Sequence, residues 1–152
     1  MVTVDVDIRV LSPNALHREY YRTRYQRRRR EVQATILAFR GVALPPGPWV
    51  VRFVRVGVNL FDSDAVPFAC KTIRDTVAHL LGVTDGPTDD RVHWRYGQAK
   101  ARHPVVTRVG GRTKTTFRSW VRVTVETRAG ASVASEREAS EGMGAPPETD
   151  AS

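Results

Sequence analysis

The chain has 152 residues and 41% hydrophobic content, which suits one ordinary globular domain rather than a disordered polymer. Lys and Arg number 24 against 16 Asp and Glu, a net charge of +8, so polyanions are the expected partners, nucleic acid ahead of anionic membrane. A single cysteine, Cys70, excludes an intramolecular disulfide and any zinc site built on paired cysteines.

Residues 2–10 alternate, with Val2, Val4, Val6, Ile8 and Val10 on one side and Thr3, Asp5, Asp7 and Arg9 on the other. That period of two predicts a half-buried strand. Ser12-Pro13-Asn14 then opens a helix, Ser12 as cap and Pro13 in the first turn, and no breaker follows until Gly41. Leu44-Pro45-Pro46-Gly47-Pro48 is a turn, and the β-branched run Trp49 to Val58 is a second strand. Residues 66–81 form a second helix, with Val66, Cys70, Ile73, Val77, Leu80 and Leu81 on one face and Gly82 as its stop. After a polar loop over 83–90, Arg91 to Gln98 alternates again through Val92, Trp94 and Tyr96. Gly110-Gly111 marks a turn, and Phe117 to Val125 predicts a last strand.

The order strand, helix, strand, helix, strand, strand predicts a single α/β (α+β) domain over 1–127, a small mixed sheet with two main helices packed on it. Residues 128–152 are rich in Ala, Ser, Glu and Gly without periodicity and are expected to be a disordered tail. That tail holds two basic and five acidic residues, which leaves 22 basic against 11 acidic, a net +11, on the body. No apolar run is long enough to span a bilayer, and the first residues lack the pattern of a signal peptide, so the expected location is cytoplasmic, away from membrane.

Four groups of residues carry candidate chemistry. Asp62 and Asp64, an i, i+2 pair after the second strand, put two carboxylates on one side of the backbone. Their repulsion is relieved by a cation, and Mg²⁺ suits one or two carboxylates with waters and a phosphate; a plain polar turn is the alternative. Asp85, Asp89 and Asp90 follow the second helix, and every acidic residue between Glu31 and Glu126 except Asp75 lies in one of these two groups. Lys71 and Arg74 stand on the helix between them, where a lysine two turns from Asp64 can reach a phosphate, although isolated helix lysines are commonly just solvated.

The fourth group runs from His17 to Arg30. Arg18, Arg22, Arg24, Arg27, Arg28, Arg29 and Arg30 are interleaved with Tyr20, Tyr21 and Tyr25 and only one acid, Glu19. Arginines spread around a helix cannot all be buried, and they repel one another without a polyanion, so the stretch reads as a DNA-binding surface. His79 and His93 lack metal-ligand spacing, and no Ser/His/Asp motif or phosphate loop is present.

Leu60-Phe61-Asp62-Ser63-Asp64, Lys71-Thr72-Ile73-Arg74-Asp75, Gly82-Val83-Thr84-Asp85-Gly86 and Asp89-Asp90-Arg91-Val92, in that order, resemble the RusA family of Holliday junction resolvases. The opening Ser12-Pro13-Asn14-Ala15-Leu16-His17-Arg18-Glu19 and the segment Arg91 to Gln98 are similar to its phage-type members. The resemblance covers roughly 2–127, its specific part being 60–98. It implies a homodimeric, Mg²⁺-dependent endodeoxyribonuclease that cuts four-way DNA junctions. Carboxylates hold the metal and a lysine assists at the phosphate, positions that fall on Asp62, Asp64 and Lys71. For the last carboxylate, Asp89 matches the family's loop-to-strand spacing and Asp85 its helix-to-loop spacing; Asp89 is preferred, with Asp90 and Asp85 behind it. Ala65 stands where the family usually has Asn, and Lys71 lies further from Asp64 than in the shortest members. Two other readings remain, a non-catalytic DNA-binding or architectural protein and an RNA-binding accessory protein.

Overall fold

A computed structural model describes residues 1–86 and 88–129. The elements in chain order are β1 (Val2–Val6), α1 (Pro13–His17), α2 (Tyr21–Phe39), β2 (Trp49–Gly57), α3 (Ala65–Ala69), α4 (Lys71–Leu81), β3 (Val92–Lys100), β4 (Pro104–Val109), β5 (Arg112–Phe117) and β6 (Trp120–Thr127). Four strands make a mixed sheet in the order β1-β6-β2-β3. β6 lies antiparallel between β1 and β2, whereas β2 and β3 run parallel, so the segment holding α3 and α4 is the crossover between them. The fold is therefore a single α+β domain with two main helices on one face of the sheet.

Period-two patterning decides which face is covered. Val51 and Phe53 of β2 and Val121, Val123 and Val125 of β6 are buried and form one core with Ile73 and Val77 of α4, Phe39 of α2 and Val66 of α3. Full burial of a side chain such as Phe53 contributes about 2–3 kcal/mol. Outward positions are polar: Asp5 pairs across the ladder with Arg122, whose Nε and Nη2 donate to its carboxylate at 2.8 and 3.0 Å, and Thr3 meets Thr124 at 3.1 Å. No helix among the described residues is long and apolar enough to cross a membrane.

Four boundaries differ from the sequence expectation. The first strand stops at Val6, although Val10 still enters the core. The long helix is broken at Arg18–Tyr20, where Glu19 turns toward α2 and its two oxygens share the Arg27 Nε–H at 3.0 and 3.1 Å. The second helix is divided at Cys70, whose N–H still bonds the Val66 carbonyl (3.0 Å) and whose carbonyl still accepts from Arg74 (2.9 Å). The expected last strand is two: Phe117 ends β5 of a separate hairpin, and β6 begins at Trp120. Gly110 and Gly111, both at positive φ (58° and 74°), make the tight turn of that hairpin, whose right-handed twist such a turn matches. The tail expected from 128 lies, beyond residue 129, outside the described residues.

Candidate functional site

β2 ends at Gly57, and the chain folds back beside its own C-terminal end. Two side chains pin that return. Gln98 of β3 donates to the Phe61 carbonyl (2.6 Å) and accepts from the Phe61 N–H (2.8 Å), while Arg55 Nη1 donates to the Asn59 carbonyl at 2.6 Å. The Ala65 N–H then bonds the Asp62 carbonyl at 2.9 Å, a turn that leads into α3. Asp62 and Asp64 are held in this turn, both exposed, and among the described residues neither carboxylate makes an ion pair or a side-chain hydrogen bond. They line a cleft of about 540 Å³ whose far wall is α1, with Ser12, Asn14 and His17. His17 stacks on Phe68 at 6.5 Å between ring centroids. Sequence patterning singles out neither Gln98 nor His17 for this cleft; for Gln98 no spacing signal exists, since its role depends on strand pairing.

Phe68 also lines a second groove, of about 750 Å³, between α2 and α4, where Lys71 and Asp75 stand. Lys71 Nζ bonds Asp75 at 2.9 Å and lies 3.6 Å from Asp85. Arg74 donates to Asp85 at 3.0 Å and to the Tyr96 hydroxyl at 3.3 Å. Lys71, Arg74, Asp75, Asp85 and Tyr96 thus form one charged cluster. The Asp85 carboxyl is held below its ordinary value, first by a hydrogen bond shared with Asp75 and then by Lys71 and Arg74.

Asp89 and Asp90 are elsewhere. Asp89 accepts from the Thr84 N–H (2.9 Å) and from Arg91 Nε and Nη2 (2.9 and 2.7 Å), so its carboxylate staples the loop and is held well below the usual range, chiefly by Arg91. Asp90 lies beside Trp49 and Arg91 at the start of the parallel pair, where Trp49 matches Val92. The acid turn is fixed to Gln98, six residues along β3 from Val92, which is about 20 Å of strand. Parallel pairing therefore separates Asp89 and Asp90 from Asp62 and Asp64, and the expectation of one centre built from both groups is not met in this geometry. Among the described residues no group of three His, Cys, Asp or Glu side chains is arranged to hold a metal.

α2 presents Arg22, Arg24, Arg28, Arg29 and Arg30 to solvent, with Tyr21 and Tyr25 also exposed. Arg27 is the exception. It turns inward and bridges Glu19 (3.0 Å) and the fully buried Glu31 (2.7 Å). Burial works against its charge, but Glu31 and then Glu19 outweigh that and hold the guanidinium above its usual value. Its Nε and Nη1 are committed to carboxylates, so Arg27 does not belong to the solvent-facing arginines of this helix.

Comparison with known proteins finds no matching protein family, no matching curated protein and no matching solved structure.

Proposed function

We propose that the chain is a Mg²⁺-dependent endodeoxyribonuclease of the RusA type, acting on branched DNA and on four-way junctions first. The observation that carries this reading is a pair of exposed carboxylates without cationic partners among the described residues, Asp62 and Asp64, in a turn that Gln98 fixes at a cleft of a strongly basic domain. Two free carboxylates in an open cleft fit Mg²⁺, which keeps several waters and shares its site with phosphate oxygens. Asp62 and Asp64 would hold the ion; bound there, it supplies a Lewis acid and a water of lowered pKa for phosphodiester hydrolysis.

The chain's own residues do the rest. The exposed arginines of α2 attract the duplex, and Lys71 and Arg74 offset charge on the phosphate. Lys71 is half exposed, and such surface pairs are worth about 0–1 kcal/mol, so exchanging Asp75 for a phosphate oxygen costs little. Two symmetric cuts across a junction call for a homodimer, which places two such clefts about a two-fold axis.

A second reading, a non-catalytic DNA-binding protein, is favoured by one observation, the lack of a third carboxylate beside Asp62 and Asp64 among the described residues. Cleavage of a synthetic four-way junction with and without Mg²⁺ separates the two. Asp62→Asn and Asp64→Asn are each expected to lower single-turnover cleavage at least about a hundredfold, leave junction binding equal or tighter, and remove any rise in melting temperature produced by Mg²⁺. Parental cutting by both variants would sink the metal assignment, and binding without cutting under all conditions would favour the binder.

A further inference from the structure

On the other side of the acid turn lies a third cavity, of about 430 Å³, walled by the link between β1 and α1, the end of β2 and the passage from β5 to β6. Three arginines line it, Arg9, Arg55 and Arg118, and among the described residues no Asp or Glu does. Arg55 is unusual because it is only 6% exposed. Its guanidinium lies against the Phe61 ring, 3.5 Å from the centroid, and against Gly57, where an added Cβ would come within 3.1 Å of Nη2. Nη1 is spent on the Asn59 carbonyl, while Nε is buried without a partner among the described residues, and no carboxylate there pairs with Arg55.

A buried guanidinium without a counter-ion is unfavourable. Burial pulls its pKa below the ordinary value, and the like charge of Arg9 lowers it further. Arg118 is half exposed and contacts Asp7 at 3.0 Å, a surface pair that an anion displaces at small cost. Counting Asp7, the three arginines leave two positive charges to be balanced. Ser12 and Ser119 also line the cavity and add hydroxyl donors. The chemistry asks for a compact, multiply charged oxyanion, and the planar donor forks of arginine match phosphate oxygens. Ser12 and Phe61 line both this cavity and the Asp62–Asp64 cleft, so the two adjoin.

We propose that the Arg9–Arg55–Arg118 cavity is a phosphate pocket that seats a backbone phosphate of a nucleic-acid strand next to the phosphate presented to Asp62 and Asp64. The anion site stands on its own residues; that the phosphate belongs to a DNA strand rests on the function proposed above. Seating a neighbouring phosphate fixes the strand's register over the carboxylates, which positions without reading sequence.

The test uses the full chain and inorganic phosphate as probe, titrated by calorimetry and by melting temperature against chloride of equal ionic strength. Saturable binding at one site per chain is expected. Arg9→Gln and Arg118→Gln, both at exposed positions, should each weaken it about tenfold. Arg55→Lys should weaken it further, and Gly57→Ala, which keeps Arg55 but crowds its guanidinium, should weaken it too, with circular dichroism confirming that each variant is folded. A short oligothymidylate should compete with phosphate for the site. Absence of saturable binding, or parental affinity in Arg9→Gln and Arg118→Gln, would overturn the pocket; an oligonucleotide that binds without displacing phosphate would overturn its assignment to a strand. Asp62→Asn should bind phosphate normally, so a failure of the nuclease reading is seen separately, as loss of cleavage with the pocket intact.

Discussion

Cys70 shows how one side chain's surroundings decide its chemistry. It sits where α3 passes into α4, fully buried in the core, and burial pushes its thiol up to about 12, with Arg55 only partly opposing. At pH 8 the thiolate is then roughly one part in ten thousand, far below that of a reactive cysteine. Iodoacetamide is therefore expected to label the native protein many times more slowly than the protein in denaturant, as followed by intact mass. Rapid native labelling at pH 8 would show that the thiol is reachable and ionised. Asp89 makes the complementary point: an aspartate in an acidic loop looks like a ligand in sequence, yet its oxygens are already saturated by Thr84 and Arg91.

At the level of elements, α2 is held by a stripe that its composition conceals. Arg27, Glu31, Thr35 and Phe39 recur every four residues on the inward face, and three of the four are polar. The spacing is visible in the sequence, but residue type points outward, so the run from His17 to Arg30 reads there as an outward-facing surface for a polyanion throughout. Glu19, Arg27 and Glu31 form a largely buried triad, and removing one member leaves the others uncompensated. Glu31→Ala is expected to cost about 3–5 kcal/mol of stability, whereas Glu19→Gln with Arg27→Met and Glu31→Leu together should recover most of it. Urea unfolding of both variants checks this, and a Glu31→Ala loss below about 1 kcal/mol would mean the triad does not anchor the helix. The strands are legible for the opposite reason. Val121, Val123 and Val125 alternate with Arg122 and Thr124, so periodicity and burial agree. The β4–β5 hairpin lies outside the main sheet with exposed strands, so it leaves only its Gly110-Gly111 turn as a signal. The acidic pair is legible from spacing, but its companions depend on the parallel register of β2 and β3, which no local pattern encodes.

For the whole molecule the governing quantity is charge. A net +11 before the acidic tail, with five arginines exposed along α2, gives the domain a long-range attraction for polyanions that salt weakens. Which arginines contribute can be decided through counterion release. Replacing Arg24, Arg28, Arg29 and Arg30 by Gln preserves helix propensity and leaves Arg27 in its triad, so the fold should persist. Each phosphate that is no longer neutralised should flatten the dependence of log K on log salt by about 0.9 on duplex DNA. Binding to a four-way junction across a salt series should thus show a lower affinity at low salt and a shallower slope, while cleavage at saturating protein changes little. Arg27→Gln alone should behave in the reverse way, losing stability at an unchanged slope, because its charge is already balanced by Glu19 and Glu31. A parental slope in the quadruple variant would remove α2 from the proposed DNA-binding surface and leave the basic groups around the acid turn as the proposed contact.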